Sequence, residues 1–279
     1  MGTDGSQLIP WPVAPALRPW VRRIIGFREA GAPVLRREPL MVGCPLVFVF
    51  GAPYRLSERA EPSVLSVTRA SFMAGVFDSF TMSSPMGPTE GIQIDLSPLG
   101  ARLLTGVPMH ELANLIVPVQ DLWGCDMRGL EERLGNIETW NERFHLIESV
   151  FLVRLRSQSE PMPEVQWAWN QLVATHGDIR IGSLTEELQW SRKRLRHAFL
   201  RDIGFSPKVM ARALRYCHAV DLARSHPDLG WSQIAHCAGY SDQAHLHRDV
   251  RAFAGVTPAA LRTELREGTF VQAGHDTRS

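Results

Sequence analysis

The chain has 279 residues, of which 44% are apolar and 21% charged. This composition is typical of a globular protein with room for two domains. The net charge of +1 points to no partner, but its distribution is uneven. Residues 176–262 carry 13 Lys and Arg against 8 Asp and Glu, whereas residues 1–155 carry 14 against 16. We therefore expect the basic surface, which would suit contact with phosphate, in the C-terminal part.

Cysteine usage and hydropathy favour a soluble cytoplasmic protein without membrane contact. The prolines near the N-terminus interrupt any signal-peptide core, and the longest apolar stretch, residues 45–50, is too short to cross a bilayer. The four cysteines form no C-x-x-C pair, which argues against a zinc module or a disulfide framework. They are Cys44, Cys125, Cys217 and Cys237.

The first part of the chain, to about residue 97, is predicted to be β-rich. Residues 46–50 form a β-branched and aromatic run that suits a buried strand, and residues 92–96 alternate as a half-buried strand does. Residues 63–67 and 71–76 are weaker strand candidates. Frequent Pro and Gly favour short antiparallel strands. The aromatic residues of this part either fill the core, which we favour, or line a ligand pocket; they are Phe48, Phe50, Phe72, Phe77 and Trp123.

Helical patterns follow Pro98, at residues 99–105, 109–115, 127–134 and 139–156. The last of these carries an apolar stripe at spacings of three and four, formed by Trp140, Phe144, Ile147, Phe151 and Leu155. Core packing is the favoured interpretation of the stripe. A dimer helix is the alternative, because the spacing approximates two heptads.

The predicted organisation has an effector or dimerisation domain at residues 1–156, a polar linker with two prolines at 157–164, an all-helical domain at 165–267 and a disordered tail at 268–279. The fold class is α+β. We expect a β-rich, cupin-like barrel with trailing helices, followed by an all-α domain.

The C-terminal part contains two copies of one pattern, each typical of a helix-turn-helix motif. The copies lie 50 positions apart up to Ser191 and Ser241, and 51 apart beyond, because the second turn has an extra residue. Two copies are too few for a solenoid. They are instead typical of a pair of motifs that contact the same partner.

In the first copy, Ser183 and Glu186 have capping-box spacing, and Ser191 is the expected N-cap of a helix from Arg192 to about Ile203. One face of that helix is apolar, with Leu195, Ala198, Phe199 and Ile203. The opposite face begins with cations and suits a major groove; it carries Arg192, Lys193, Arg196 and His197. A solvated surface helix is the alternative for one copy alone, and the duplication favours DNA.

The second copy has Ser241 as its expected N-cap and Leu246, Val250 and Phe253 as its expected core. Its outer face carries Ala244, His245 and Arg248. Between the copies, Ser206 and Pro207 open a helix that reaches about residue 224. At about 1.5 Å per residue, this rod of roughly 27 Å suits two recognition helices about one DNA turn apart.

Residues 165–266 resemble the AraC/XylS family of bacterial transcription regulators. The most specific match is the closing signature formed by Ile234, Ala235, Gly239, Tyr240, Ser241, Asp242, Leu246, Arg248, Arg251, Gly255, Thr257, Pro258 and Arg262. The resemblance implies one DNA-binding unit with two helix-turn-helix motifs joined by a long helix. Carried over by position, it implies base contacts by Lys193, Arg196, His197, Ala244, His245 and Arg248.

The chain departs from the family pattern at Thr185, Gln189, Leu246 and Val250. Gln189 replaces a Gly that suits a left-handed turn, at a cost of about 1 kcal/mol. Because the small side chain of Ala244 stands at a base-facing position, the second motif is expected to make fewer base contacts than the first, and the first motif is expected to dominate specificity.

The N-terminal part is expected to bind an unidentified small-molecule effector, and a homodimer is left open. Its two histidines, His110 and His145, cannot form the cluster of a metal-dependent oxygenase. His245 and His247 diverge on their helix and are not read as ligands. We therefore predict no enzyme, no catalytic residue, no metal and no cofactor. The predicted function is DNA-binding transcription regulation, with RNA polymerase as a further partner. The alternative is a small-molecule-binding protein with a degenerate DNA-binding module.

Overall fold

The computed structural model describes residues 7–30, 34–57, 67–123, 125–156 and 161–267. The predicted tail at 268–279, the first half of the predicted linker and most of the predicted strand at 63–67 lie outside these residues. Helix formation resumes at Pro163, inside the predicted linker range, because proline suits the first turn of a helix.

The N-terminal part forms two antiparallel sheets. The six-stranded sheet has the order β1-β2-β9-β4-β7-β10 and the four-stranded sheet the order β3-β8-β5-β6. The strands are β1 (Gln7–Trp11), β2 (Val21–Glu29), β3 (Arg36–Glu38), β4 (Cys44–Val49), β5 (Tyr54–Leu56), β6 (Val67–Arg69), β7 (Phe72–Ala74), β8 (Thr81–Pro85), β9 (Thr89–Leu96) and β10 (Ile116–Pro118). The predicted strands at 46–50, 71–76 and 92–96 are confirmed as β4, β7 and β9.

The two sheets enclose a small apolar cluster. Phe27 and Phe72 come from the six-stranded sheet and Tyr54 from the four-stranded sheet, and both phenylalanine rings meet Tyr54 edge-on. This arrangement of facing sheets agrees with the expected β-rich barrel. Phe48, Phe72, Phe77 and Trp123 are buried, as the core interpretation predicts, whereas Phe50 is half-buried and lines a surface cleft.

Helices cover the outer side of the six-stranded sheet. They are α1 (Pro98–Thr105), α2 (Met109–Leu112), α3 (Val119–Trp123), α4 (Cys125–Asn136) and α5 (Trp140–Arg156). On α5, Phe144, Ile147 and Phe151 are fully buried, and Trp11 of β1 stacks on Phe144 at 4.9 Å between ring centroids. The stripe on α5 is therefore core, which confirms the favoured interpretation.

The C-terminal part is all helical, as predicted. Its helices are α6 (Pro163–Ala174), α7 (Ile181–Glu187), α8 (Arg192–Ile203), α9 (Pro207–Ser225), α10 (Trp231–Cys237), α11 (Gln243–Ala254) and α12 (Pro258–Glu267). Ser206 caps the 19-residue helix α9 by accepting a hydrogen bond from the Val209 amide. At about 1.5 Å per residue, α9 is roughly 28 Å long and lies between the two motifs.

None of the described helices is both long enough and apolar enough to cross a membrane.

Candidate nucleic-acid interface

The first motif consists of α7, a short turn and α8. Gln189 in the turn has φ = +51°, which confirms the left-handed conformation expected there. The Ser191 side chain accepts a hydrogen bond from the Arg194 amide at 3.1 Å, so the predicted N-cap is also confirmed. The capping box of Ser183 and Glu186 is wrong: α7 begins at Ile181, and its N-cap, Arg180, makes no capping bond with its side chain.

The outer face of α8 is formed by its first two turns. Leu195, Phe199 and Ile203 are fully buried and hold the helix against the rest of the domain. The side chains predicted to contact DNA all lie on the exposed side; they are Arg192, Lys193, Arg196 and His197. The structure therefore brings three guanidinium or ammonium groups and one imidazole together at the N-terminal end of α8, where the helix dipole adds positive potential.

The second motif consists of α10, its turn and α11. Leu246, Val250 and Phe253 are buried, as predicted. The N-cap is Asp242, which accepts a hydrogen bond from the His245 amide at 2.7 Å, so the assignment of Ser241 is wrong by one position. The extra residue in this turn moves the start of the helix. That amide bond is also the main reason that the pKa of Asp242 is lowered.

The outer face of α11 carries fewer cations than that of α8. Ala244 and Arg248 are exposed and His245 is half-buried. The His245 ring meets the Tyr240 ring edge-on at 5.0 Å, and its Nδ1 lies 3.2 Å from the Ser241 hydroxyl. These two contacts fix the orientation of the imidazole and leave Nε2 for a partner outside the protein.

Superposing the two helices by their first residues, Arg192 and Gln243, places Arg194 opposite His245 and Arg196 opposite His247. Arg194 is exposed, and its guanidinium lies 4.1 Å from the Trp190 ring centroid, just as His245 rests on Tyr240. Arg194 and His247 were missed by the sequence argument. An aromatic residue before each N-cap, at equivalent positions 190 and 240, was the available signal for Arg194.

The long helix α9 holds the second motif through polar contacts. Arg212 on α9 forms an ion pair of 2.6 Å with the buried Asp249 of α11, and its guanidinium lies over the Phe253 ring. Arg215 donates a hydrogen bond to the Gly239 carbonyl in the turn of the second motif. These contacts tie the orientation of α11 to α9.

The N-terminal domain contacts the C-terminal end of both recognition helices. Gly204 and Gly255, which occupy equivalent positions, end α8 and α11 in the left-handed conformation. A Cβ at Gly204 would lie 3.1 Å from the Met109 carbonyl oxygen on α2, and a Cβ at Gly255 would overlap the Phe80 ring. Both glycines are needed for this close approach as well as for their backbone conformation.

Ion pairs join the domains at the same two places. On the first motif, Arg102 of α1 lies 3.6 Å from the buried carboxylate of Asp202 on α8. On the side of the second motif, Arg37 of β3 pairs with Glu264 of α12 at 2.7 Å. The N-terminal domain therefore contacts the region of both recognition helices.

In the described part of the chain, no group of three or more His, Cys, Asp and Glu residues is arranged to hold a metal ion. His110 lies on α2 and His145 on α5, as the sequence predicted.

The fold and the paired motifs define a protein with two helix-turn-helix units in its C-terminal part. Residues 184–264 match the family model described as a helix-turn-helix domain. This match agrees with the resemblance of residues 165–266 to the AraC/XylS regulators.

Several solved structures are similar in part. ToxT from Vibrio cholerae O395 is 13% identical over 87% of this chain and 97% of its own, with a TM-score of 0.47. ToxT from V. cholerae strain SCE256 bound to an unsaturated fatty acid is 11% identical over 98% and 100%, with a TM-score of 0.46. The C-terminal domain of AraT, a response regulator from Geobacillus stearothermophilus, is 21% identical over 43% and 97%, with a TM-score of 0.35. Likeness at this level carries no functional argument. A search of curated proteins finds no match.

Proposed function

We propose that this protein is a DNA-binding transcription regulator, and that it binds specific DNA sequences by placing α8 and α11 in two major grooves. The observation that carries the proposal is the pair of exposed helix faces at the N-terminal ends of α8 and α11, each supported by a buried apolar side. The base contacts are assigned to Lys193, Arg196 and His197 in the first motif, with Arg192 beside them, and to Ala244, His245 and Arg248 in the second. The guanidinium groups match the O6 and N7 acceptors of guanine.

Selection of bound fragments from genomic DNA, followed by footprinting, tests this proposal. We expect two protected segments about one helical turn apart. Binding that never exceeds non-specific background at any salt concentration would refute the proposal. It would favour the alternative, a small-molecule-binding protein with a degenerate DNA-binding module, for which Ala244 is the specific structural support.

We further infer that the N-terminal domain responds to a small-molecule effector and transmits the response through its two contacts with the recognition helices. A ligand that shifts the part of the N-terminal domain containing Met109 and Phe80 would change the packing against the C-terminal ends of α8 and α11 at the same time. Population shift of this kind requires that the ligand bind one arrangement more tightly than the other.

Thermal-shift screening with small metabolites checks this inference. A ligand that raises the melting temperature should also change DNA affinity, and Phe80→Ala should weaken that coupling. An effector that stabilises the protein while leaving the affinity for DNA unchanged would contradict it. The same proposal places the protein in the cytoplasm. It also includes contacts with RNA polymerase or with a second copy of the chain, and chemical cross-linking on promoter DNA would detect either contact.

A further inference from the structure

A cleft of about 550 Å³ lies beside the second motif. It is lined by the segment from Pro227 to Trp231 at the start of α10 and by one side of α12. Two cationic side chains of α12, Arg262 and Arg266, line the cleft together with the Trp231 ring.

Contacts within the protein hold both guanidinium groups at one place. Arg262 Nη1 donates a hydrogen bond to the Pro227 carbonyl at 2.9 Å, and Arg266 Nη2 lies 3.4 Å from the same oxygen. The Arg262 guanidinium also lies 4.6 Å from the Trp231 ring centroid. The two cations are therefore fixed side by side before any ligand arrives, which reduces the entropic cost of binding one.

Among the residues that line the cleft, two arginines face a single carboxylate residue, Asp228. Among the residues described, neither Arg262 nor Arg266 forms an ion pair with a carboxylate, although Asp228 also lines the cleft. Burial, together with the charge of Arg266, lowers the pKa of Arg262. An anion in the cleft would relieve the repulsion between the two guanidinium groups.

The cleft adjoins the flank of α11. The Trp231 ring meets the ring of His247 edge-on at 6.2 Å, and His247 directly precedes Arg248 on the outer face. Arg251, one turn further along α11, is exposed and close enough to His247 to lower its pKa further, after burial. Two exposed arginines of α11, Arg248 and Arg251, thus lie near the imidazole that contacts Trp231 at the cleft.

The first motif does not have this arrangement. At the positions equivalent to Trp231 and Arg262 it has Ile181 and Ala211, and Gly177 packs directly against the Ala211 backbone. The second motif, whose outer face carries fewer cations, therefore has the additional cationic site.

We propose that the cleft formed by Trp231, Arg262 and Arg266 binds a phosphate of the DNA backbone beside the groove that α11 enters. This inference rests on the proposed function, since it adds a phosphate contact to the same interface. A phosphate contact positions the protein but carries no sequence information.

The test is the salt dependence of DNA binding by the full chain. Arg266→Gln is the variant of choice, because Arg266 is exposed and its loss leaves the core intact. Arg55→Gln is the matched control, since Arg55 is exposed on β5 of the N-terminal domain. Each removed phosphate contact should reduce the slope of log affinity against log salt by about 0.9. We expect this reduction for Arg266→Gln on both a selected site and an unrelated duplex, and no reduction for Arg55→Gln.

Ethylation interference locates the contact. Wild-type protein should lose binding when one phosphate at the flank of the second half-site is ethylated, and Arg266→Gln should be indifferent to that modification. Equal slopes and equal interference patterns for wild type and Arg266→Gln would overturn the inference. A second result would also overturn it. If replacing chloride by inorganic phosphate at constant ionic strength lowers the DNA affinity of the wild type alone, while both proteins give the same interference pattern, the cleft binds free phosphate and not the DNA backbone. Failure of the wild type to bind any duplex would instead refute the proposed function.

Discussion

The two motifs of this protein share one backbone pattern but differ in how they are charged and held. The recognition helix of the first motif, α8, starts with three consecutive cations and is supported by α1 and α2 of the N-terminal domain. The second, α11, has Ala244 where α8 has Lys193, and its buried Asp249 is held by Arg212 of the long helix α9. Equivalent positions therefore serve different purposes in the two copies.

This difference indicates that the two motifs contribute differently to DNA binding. The first motif has more cationic side chains able to contact bases, whereas the second has Arg248, one oriented imidazole and the cleft beside α12. We therefore expect changes in the first motif to affect sequence preference, and changes around the second to affect affinity more evenly across sequences.

The largest effect is expected from a charge placed in the core of the first motif. Leu195 is fully buried, so Leu195→Asp buries an unpaired carboxylate and should cost about 4 kcal/mol of unfolding free energy. His197→Asp places the same charge on the exposed side of α8 and serves as the control. Chemical denaturation followed by circular dichroism measures both. Equal stability of Leu195→Asp and wild type would refute the assignment of the buried face.

The buried acids of the two recognition helices should respond unequally to loss of their partners. Arg212→Met leaves Asp249 buried without its ion pair and should cost about 3 kcal/mol. Arg102→Met should cost less than about 1 kcal/mol, because Asp202 keeps a bidentate pair with Arg201 at 2.7 and 2.8 Å. Urea denaturation of both variants makes the comparison. A larger loss for Arg102→Met would contradict our account of what holds each motif.

Substitutions on the outer faces of the two motifs should differ in their effect on DNA sequence preference. Arg196→Ala should weaken binding to a selected site by about 1–3 kcal/mol and relax the preference at one base position. Arg251→Ala should weaken binding to all sequences alike if it contacts the backbone beside the cleft. Competitive binding to a library of single-base variants measures both effects. An unchanged preference profile for Arg196→Ala would remove it from the base contacts.

The smallest effect concerns the two turns. Gln189 and its equivalent, Gly239, both have positive φ, +51° and +73°. Gln189→Gly should therefore stabilise the protein by about 0.5–1 kcal/mol, because glycine adopts this conformation without strain. Gly239→Ala should destabilise it, since the new Cβ would lie 2.7 Å from Cγ of Asp178. Differential scanning calorimetry compares the two; a lower melting temperature for Gln189→Gly would be the contrary result.

Local patterns predicted most of the C-terminal domain. Helical spacing identified the buried sides of α8 and α11, and the cap residues Ser191 and Ser206 fixed two helix starts to the residue. The inserted residue near Ser241 was visible in the sequence, but which side chain would cap α11 depended on the final path of the turn. The capping box at Ser183 failed because α7 begins three residues earlier than that spacing requires.

The N-terminal domain was less predictable because strands are defined by their partners. The strand β2, with its adjacent arginines and Gly26, shows no clean alternation, and it is a strand because it pairs with both β1 and β9. The shortest strands, such as β3 and β10 with three residues each, carry too little pattern to be recognised alone.

The sequence by itself determined that two helix-turn-helix motifs exist and which sides of their helices are buried, because a helix relates residues three and four positions apart. Only the tertiary structure decided how those motifs are held. Arg37 and Glu264 are 227 positions apart, and no spacing rule connects them. Such contacts arise where the two parts of the chain pack against each other, and local spacing in the sequence carries no record of that packing.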